Sequence, residues 1–161
     1  MTTYKTVTID EEIFYVYADL EDARLYNMAI VGSTWAEKDE TVRSQYLVMA
    51  TRKIDSYNYA GQKVDAEQPL KFPRVMINGK TSDDNVLTQL CCQIATFYND
   101  NGSSSSGGDS GSFLNNVENY QIGDLHVKFK DDAQLDLSGL DDFIEGALKD
   151  WLSNQGMEIW L

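Results

Sequence analysis

The chain has 161 residues, 42% of them hydrophobic, with 9 Tyr, 6 Phe and 3 Trp but only 2 Pro and 11 Gly; this suits one ordinary domain with a real core and excludes collagen-like and wholly disordered classes. Its 26 acidic against 13 basic residues leave a formal charge of -13, a field that repels phosphate backbones, anionic lipids and acidic substrates, so any grip on nucleic acid has to be local. No apolar run reaches membrane-spanning length and the N-terminus lacks a secretory layout, so the expectation is a product kept in the cytosol with no membrane partner.

In chain order, Thr6 to Tyr17 alternates weakly and reads as extended structure leading into a helix. Asp19 and Asp22 mark a helix start, with Leu20, Ala23, Tyr26 or Asn27, and Ile30 as a stripe ending at Gly32. A turn carrying Trp35 follows. From about Asp39 to Asn58, Val42, Tyr46, Leu47, Ala50, Ile54 and Tyr57 recur at helical spacing. Tyr59 to Lys80 holds Gly61, both prolines and Asn78-Gly79, and predicts a long ordered loop anchored by Leu70, Phe72, Val75 and Ile77. A third helix is capped by Ser82, carries Asp83 and Asp84 in its first turn, buries Val86, Leu90, Ile94 and Phe97, and ends near Tyr98.

Asn99 to Ser112 has no apolar side chain and reads as a Ser/Gly-rich linker. Beyond it, Tyr120 to Asp124 and Leu125 to Lys130 alternate with period two and predict a small hairpin, and a last helix after Ser138 shows a broad apolar face of Leu140, Phe143, Ile144, Ala147, Leu148, Trp151 and Leu152. The ending Met157-Glu158-Ile159-Trp160-Leu161 is apolar enough to need a receiving surface, on this chain's own core or on another subunit. The expected fold is mainly α, a small bundle of about four helices with a short β-hairpin before the C-terminal helix. The expected division is a helical core over 1–98, a flexible linker over 99–117, and hairpin, helix and docking tail over 118–161.

Residues that carry chemistry are sparse. His126 is the single histidine, no G-x-S-x-G or phosphate-binding glycine motif is present, and the adjacent Cys91 and Cys92 read as small buried apolar groups rather than a disulfide. The acidic pairs at Asp10-Glu11-Glu12, Asp83-Asp84, Asp131-Asp132 and Asp141-Asp142 lack calcium-loop order. The expectation is no enzyme, no catalytic residue, no cofactor and no metal. Trp35, Tyr57, Tyr59 and Phe72 with Arg52, Lys53, Lys71 and Arg74 could form a stacking apparatus for single-stranded nucleic acid, or the edge of a core with ordinary surface charges.

The order of these parts carries a resemblance: Tyr15-Val16-Tyr17 with a short helix, Trp35, a helix from Leu47 ending in Ile54-Asp55, a Phe72-Pro73-Arg74 loop, Ser82-Asp83-Asp84-Asn85-Val86 opening the next helix, and Ile122-Gly123-Asp124-Leu125-His126-Val127 before a Leu-rich helix. From about Phe14 to Leu152 the chain resembles the head-tail connector (adaptor) proteins of long-tailed bacteriophages, members of which are often labelled DnaT-like single-stranded-DNA-binding proteins. It departs from them in lacking a proline at the start of the third helix and in its Ser/Gly linker and apolar tail. The resemblance implies a structural protein of the virion neck, present in the host cytoplasm during assembly. It would form a homo-oligomeric ring, commonly dodecameric, between the portal protein and the stopper or tail-completion proteins, with DNA passing through an acidic lumen. The interface expected with such partners comprises Leu140, Ile144, Leu148, Trp151, Met157, Ile159, Trp160 and Leu161, with Phe72 and Arg74 from the long loop. The alternatives are a single-stranded-nucleic-acid-binding module and an acidic DNA-mimic inhibitor.

Overall fold

A computed structural model describes residues 4–102, 117–120, 127–129 and 137–153. The extended start is a complete hairpin, β1 (Lys5–Ile9) paired antiparallel with β2 (Glu12–Val16) from Lys5↔Val16 to Ile9↔Glu12. Its two-residue turn places Asp10 at φ 48 and Glu11 at φ 70, the mirror-image turn whose twist matches paired strands but which favours Asn or Gly over Glu. Helix α1 (Leu20–Met28) opens on the expected Asp19: its carboxylate accepts from the Asp22 amide at 2.9 Å, and the Asp22 carboxylate accepts from the Asp19 amide at 3.0 Å. A short 3-10 turn, Trp35–Glu37, buries Trp35 against Tyr46.

Helix α2 (Glu40–Asp55) and helix α3 (Asp84–Gly102) form the central packed pair, with the β1–β2 hairpin against α2 and α1 alongside α3. Asp83 rather than Ser82 caps α3: the Asp83 carboxylate accepts from the Asn85 amide at 2.9 Å, and the Ser82 hydroxyl instead accepts from the Arg74 amide. The buried face of α3 is Leu87, Leu90, Cys91, Ile94, Ala95 and Tyr98, while Val86 is 44% exposed. The helix also runs past Tyr98 to Gly102, because the fully buried Asn99 donates to the Thr34 hydroxyl at 3.0 Å and Asn101 to the Phe97 carbonyl at 2.8 Å. Polar residues in the last turn thus find partners inside the protein, a possibility composition does not reveal.

The segment between α2 and α3 contains a two-residue ladder, β3 (Gln62–Lys63) with β4 (Arg74–Val75). Gly61, at φ 76, makes it possible: a Cβ there would lie 2.6 Å from the Val75 carbonyl oxygen. Phe72 anchors the segment as expected, whereas Ile77 is 96% exposed and anchors nothing. Gln68, buried, donates to the carbonyls of Leu70 and Pro73 and knits the bend together. After α3, strands β5 (Val117–Tyr120) and β6 (Val127–Phe129) pair antiparallel ahead of helix α4 (Leu137–Ala147). The fold is mainly α, four helices with short antiparallel pairs, one of them immediately before the C-terminal helix. No helix among the described residues is long and apolar enough to cross a membrane.

Candidate functional site

The interface expected from sequence is largely internal. Leu140, Ile144, Leu148 and Trp151 are buried in the same core as Leu47, Ile54 and Leu90. Phe72 is 1% exposed, with ring contacts to Tyr17, Tyr59 and Trp151. In this fold these five side chains pack within the chain's own core. The reason is that α4 lies against α2 and α3 and satisfies its apolar face in place; only its outer side, with Phe143 and Ala147, stays open. Met157, Ile159, Trp160 and Leu161 lie outside the described residues, as does His126.

Backbone bonds continue this docking past the helix. The Ala60 amide donates to the Trp151 carbonyl at 2.7 Å, Leu152 bridges Tyr59, and the Ser153 amide donates to the Asn58 carbonyl at 3.1 Å. Lys53, with a side chain only 11% exposed, pairs with Asp141 at 2.6 Å, and the Tyr57 hydroxyl donates to the same carboxylate. Burial alone would push the Asp141 carboxyl up, but the bonds from Lys53 and Tyr57 outweigh it and hold the group below the ordinary carboxylate value.

Most of the aromatic and basic residues that could have served single-stranded nucleic acid are engaged elsewhere, Arg52 being the exposed exception. Arg74 is turned inward from a contact surface: its guanidinium donates to the carbonyls of Ala60 (2.9 Å), Gly61 (2.8 Å), Lys71 (3.2 Å) and Tyr59 (3.3 Å). Its planar fork suits such a cluster of acceptors. The Lys71 ammonium donates to the Tyr57 carbonyl at 2.7 Å. Trp35 is buried, and Tyr59 is half-buried with its hydroxyl donating to the Ile54 carbonyl. Base stacking needs open ring faces, and Trp35 and Phe72 do not offer them.

Asp55 is the hub of this region. Its carboxylate accepts from the Tyr17 hydroxyl at 2.5 Å and from the Lys71 amide at 3.4 Å, while the Tyr17 oxygen accepts from the Phe72 amide at 3.1 Å. Burial pushes the Asp55 carboxyl up, more than these bonds pull it down, and burial beside Asp55 raises the Tyr17 phenol. The network ties β2, α2 and the long segment together. Cys91 and Cys92 are free and buried, as expected, with burial raising their thiols to about 11 and about 12. No group of three or more metal-ligating side chains occurs among the described residues.

Among the described residues, exposed apolar side chains include Ile13, Tyr15, Val64 and Ile77, and one group of them lies at the end of α1. Leu25 and Met28 are 53% and 70% exposed, and Val31, in the turn that follows, is fully exposed. Residues 28–34, Met-Ala-Ile-Val-Gly-Ser-Thr, carry no charge in a chain of net charge -13. Sequence reading missed this surface because Ile30 was assigned to the inward stripe. The uncharged run itself was the available signal.

No curated protein and no solved structure matches the chain. Residues 15–161 match one protein-family profile, and the chain therefore belongs to the family described as "Putative DnaT-like ssDNA binding protein".

Proposed function

We propose that this protein is a structural subunit of a tailed-bacteriophage neck. In this reading it is a head-tail connector, not an enzyme, that assembles with further copies of itself into a ring between the portal and the stopper or tail-completion proteins. DNA passes through the lumen without sequence-specific contacts. The observation that carries this reading is the uncharged, exposed apolar segment of Leu25, Met28, Ile30 and Val31 on an otherwise strongly acidic chain. Exposed apolar patches on acidic proteins mark protein contacts, and an acidic lumen lets a polyanion slide without sticking. The engagement of Arg74, Lys53 and Lys71 within the fold supports it further.

Light scattering and negative-stain imaging of the purified chain, alone and with portal-bearing capsids, test the proposal. Rings, or added density at the portal vertex, are the expected result. A single copy that ignores capsids would defeat it. The family description favours a second reading, binding of single-stranded DNA. That reading requires affinity that falls steeply with salt, with a log-log slope of about -0.7 per phosphate contact on a single strand.

A further inference from the structure

We infer that one copy of this chain receives another by inserting the apolar turn after α1 into a groove between α3 and α4 of its neighbour. The inference rests on the ring-forming reading and assigns it a contact. The groove has a volume of about 170 Å³ and is lined by Val86, Leu87, Ala147, Leu148 and Trp151, with Asp83 and Asp150 on its rim. Val86 is 44% exposed, and Phe143, one turn before Ala147 on α4, is 47% exposed. A cavity of ~150 Å³ takes up a benzene ring when its walls are apolar; this groove, apolar at Val86, Leu87, Ala147, Leu148 and Trp151 and polar at Ser82, Asp83 and Asp150, has room for a branched aliphatic side chain of the size of Val31 or Ile30.

The two surfaces lie at opposite ends of the molecule. Helices α1 and α3 run side by side in the same direction: Lys5 joins Asp22 (2.7 Å) to Thr88 (3.2 Å), Asn27 donates to Thr96 (3.1 Å), and Asn99 donates to Thr34 (3.0 Å). The turn after α1 therefore sits beside the C-terminal end of α3, and the groove at its N-terminal end. From Val86 to Asn99 the separation is about 20 Å of helix at ~1.5 Å per residue. A protruding patch at one end and a recessed one at the other cannot satisfy each other within one copy. Repeated head to tail, they give a heterologous contact that closes into a ring when its rotation allows. Two protruding turns packed on one another would bury little, which disfavours a two-fold contact.

Charge points to the same occupant. Copies of net charge -13 repel one another, so contact is least costly through segments without acidic residues, and residues 28–34 provide one. At its base stands Arg24, half exposed and paired with Glu21 at 2.6 Å, with Nη1 3.1 Å from the Met28 sulfur; on the groove rim of the neighbour Asp150 is itself paired with Lys80 at 3.3 Å, which leaves Asp83 as the carboxylate for Arg24 to face.

Disulfide trapping on full-length chains tests the contact. Val31→Cys and Ala147→Cys are made as separate variants, and the buried native thiols do not compete. Mixing the two under mild oxidation is expected to give a covalent dimer on a non-reducing gel, at least about fivefold more abundant than with either variant alone. As much dimer from Val31→Cys alone, or none in the mixture, would overturn the inference. Val31→Asp, at a fully exposed position that should fold normally, is expected to shift the scattering mass toward a single copy; an unchanged oligomer would refute this contact while leaving the ring reading intact. Trapping without rings in negative stain would uphold the contact and remove the ring.

Discussion

Replacing Ile144 by Ala tests whether α4 is held by its own chain. Ile144 is fully buried among core residues from the central pair. Removing its outer carbons from such a site costs about 3 kcal/mol, the lost transfer free energy plus an unfilled cavity. For a chain of this length that corresponds to a fall in Tm of about 6–12 °C. Phe143 is the neighbouring control: it is 47% exposed, and Phe143→Ser should change stability by no more than ~0.5 kcal/mol. Thermal unfolding by circular dichroism is the assay, run at two concentrations a hundredfold apart in a Val31→Asp background that removes the contact proposed above. If α4 docks in place, the midpoint of each chain is the same at both. If it were supplied by a neighbour, a hundredfold dilution would cost ~2.7 kcal/mol. A fall of less than about 2 °C, or a concentration-dependent one, refutes the reasoning.

Asp141→Asn leaves the buried Lys53 cation without its anion; a lost buried pair costs about 3–5 kcal/mol, discounted here to ~2 because the Asp141 side chain is 40% exposed. Denaturant titration checks this, and since the Asp141 pKa is depressed in the folded state, the wild-type advantage is full above about pH 4 and disappears as pH falls through the folded value. The Asp55 pKa is raised, so the sign reverses: ionised Asp55 opposes folding, and the stability of the wild type relative to Asp55→Asn should grow as pH is lowered from about 7 to about 4. A constant difference across that range would contradict the assignment. Asn-Gly in place of Asp10-Glu11, both at positive φ, should raise stability by about 1 kcal/mol in chemical denaturation. Finally, Cys91 and Cys92, with thiols raised to about 11 and about 12, should react with a thiol reagent near pH 8 at least about a hundredfold more slowly in the native than in the unfolded chain.

Sequence periodicity placed all four helices and anticipated the late hairpin, whose first strand is Val117–Tyr120 rather than Tyr120 to Asp124, because amphipathic spacing and caps such as Asp19 are local properties. It picked out Leu90 and Ile94 on the inward face of α3 but chose Val86 over Leu87, adjacent positions of which only the packing against α2 decides which turns inward. It also read the apolar face of α4 as an interface. A face of Leu140, Ile144, Leu148 and Trp151 has the same pattern whether it meets its own core or another chain, and the answer depends on the surface presented by α2 and α3. The roles of Asp55 and Arg74 were illegible for a related reason: their partners, Tyr17 and the carbonyls of residues 59–61, are brought together only by the folded path of the segment between α2 and α3.

That distinction bears on how association is read from such a chain. With α4 satisfied in place, the wide apolar face that first suggested a partner is spent on stability, and the surface left over is smaller and lies elsewhere, at the turn after α1 and in the groove beside Val86. The engaged cations sharpen the contrast. Arg74, Lys53 and Lys71 hold the long segment and α4 against the core, so substituting them should lower stability before it alters any contact with a polyanion. An Arg74→Ala chain therefore separates two explanations of a lost interaction. If DNA or partner binding falls while the unfolding midpoint is unchanged, Arg74 acts at a surface and the internal role assigned to it is wrong. If the midpoint falls by about 2 kcal/mol or more, the scale of one or two hydrogen bonds to a charged group, loss of binding follows from loosening of residues 59–61 and says nothing about phosphate recognition.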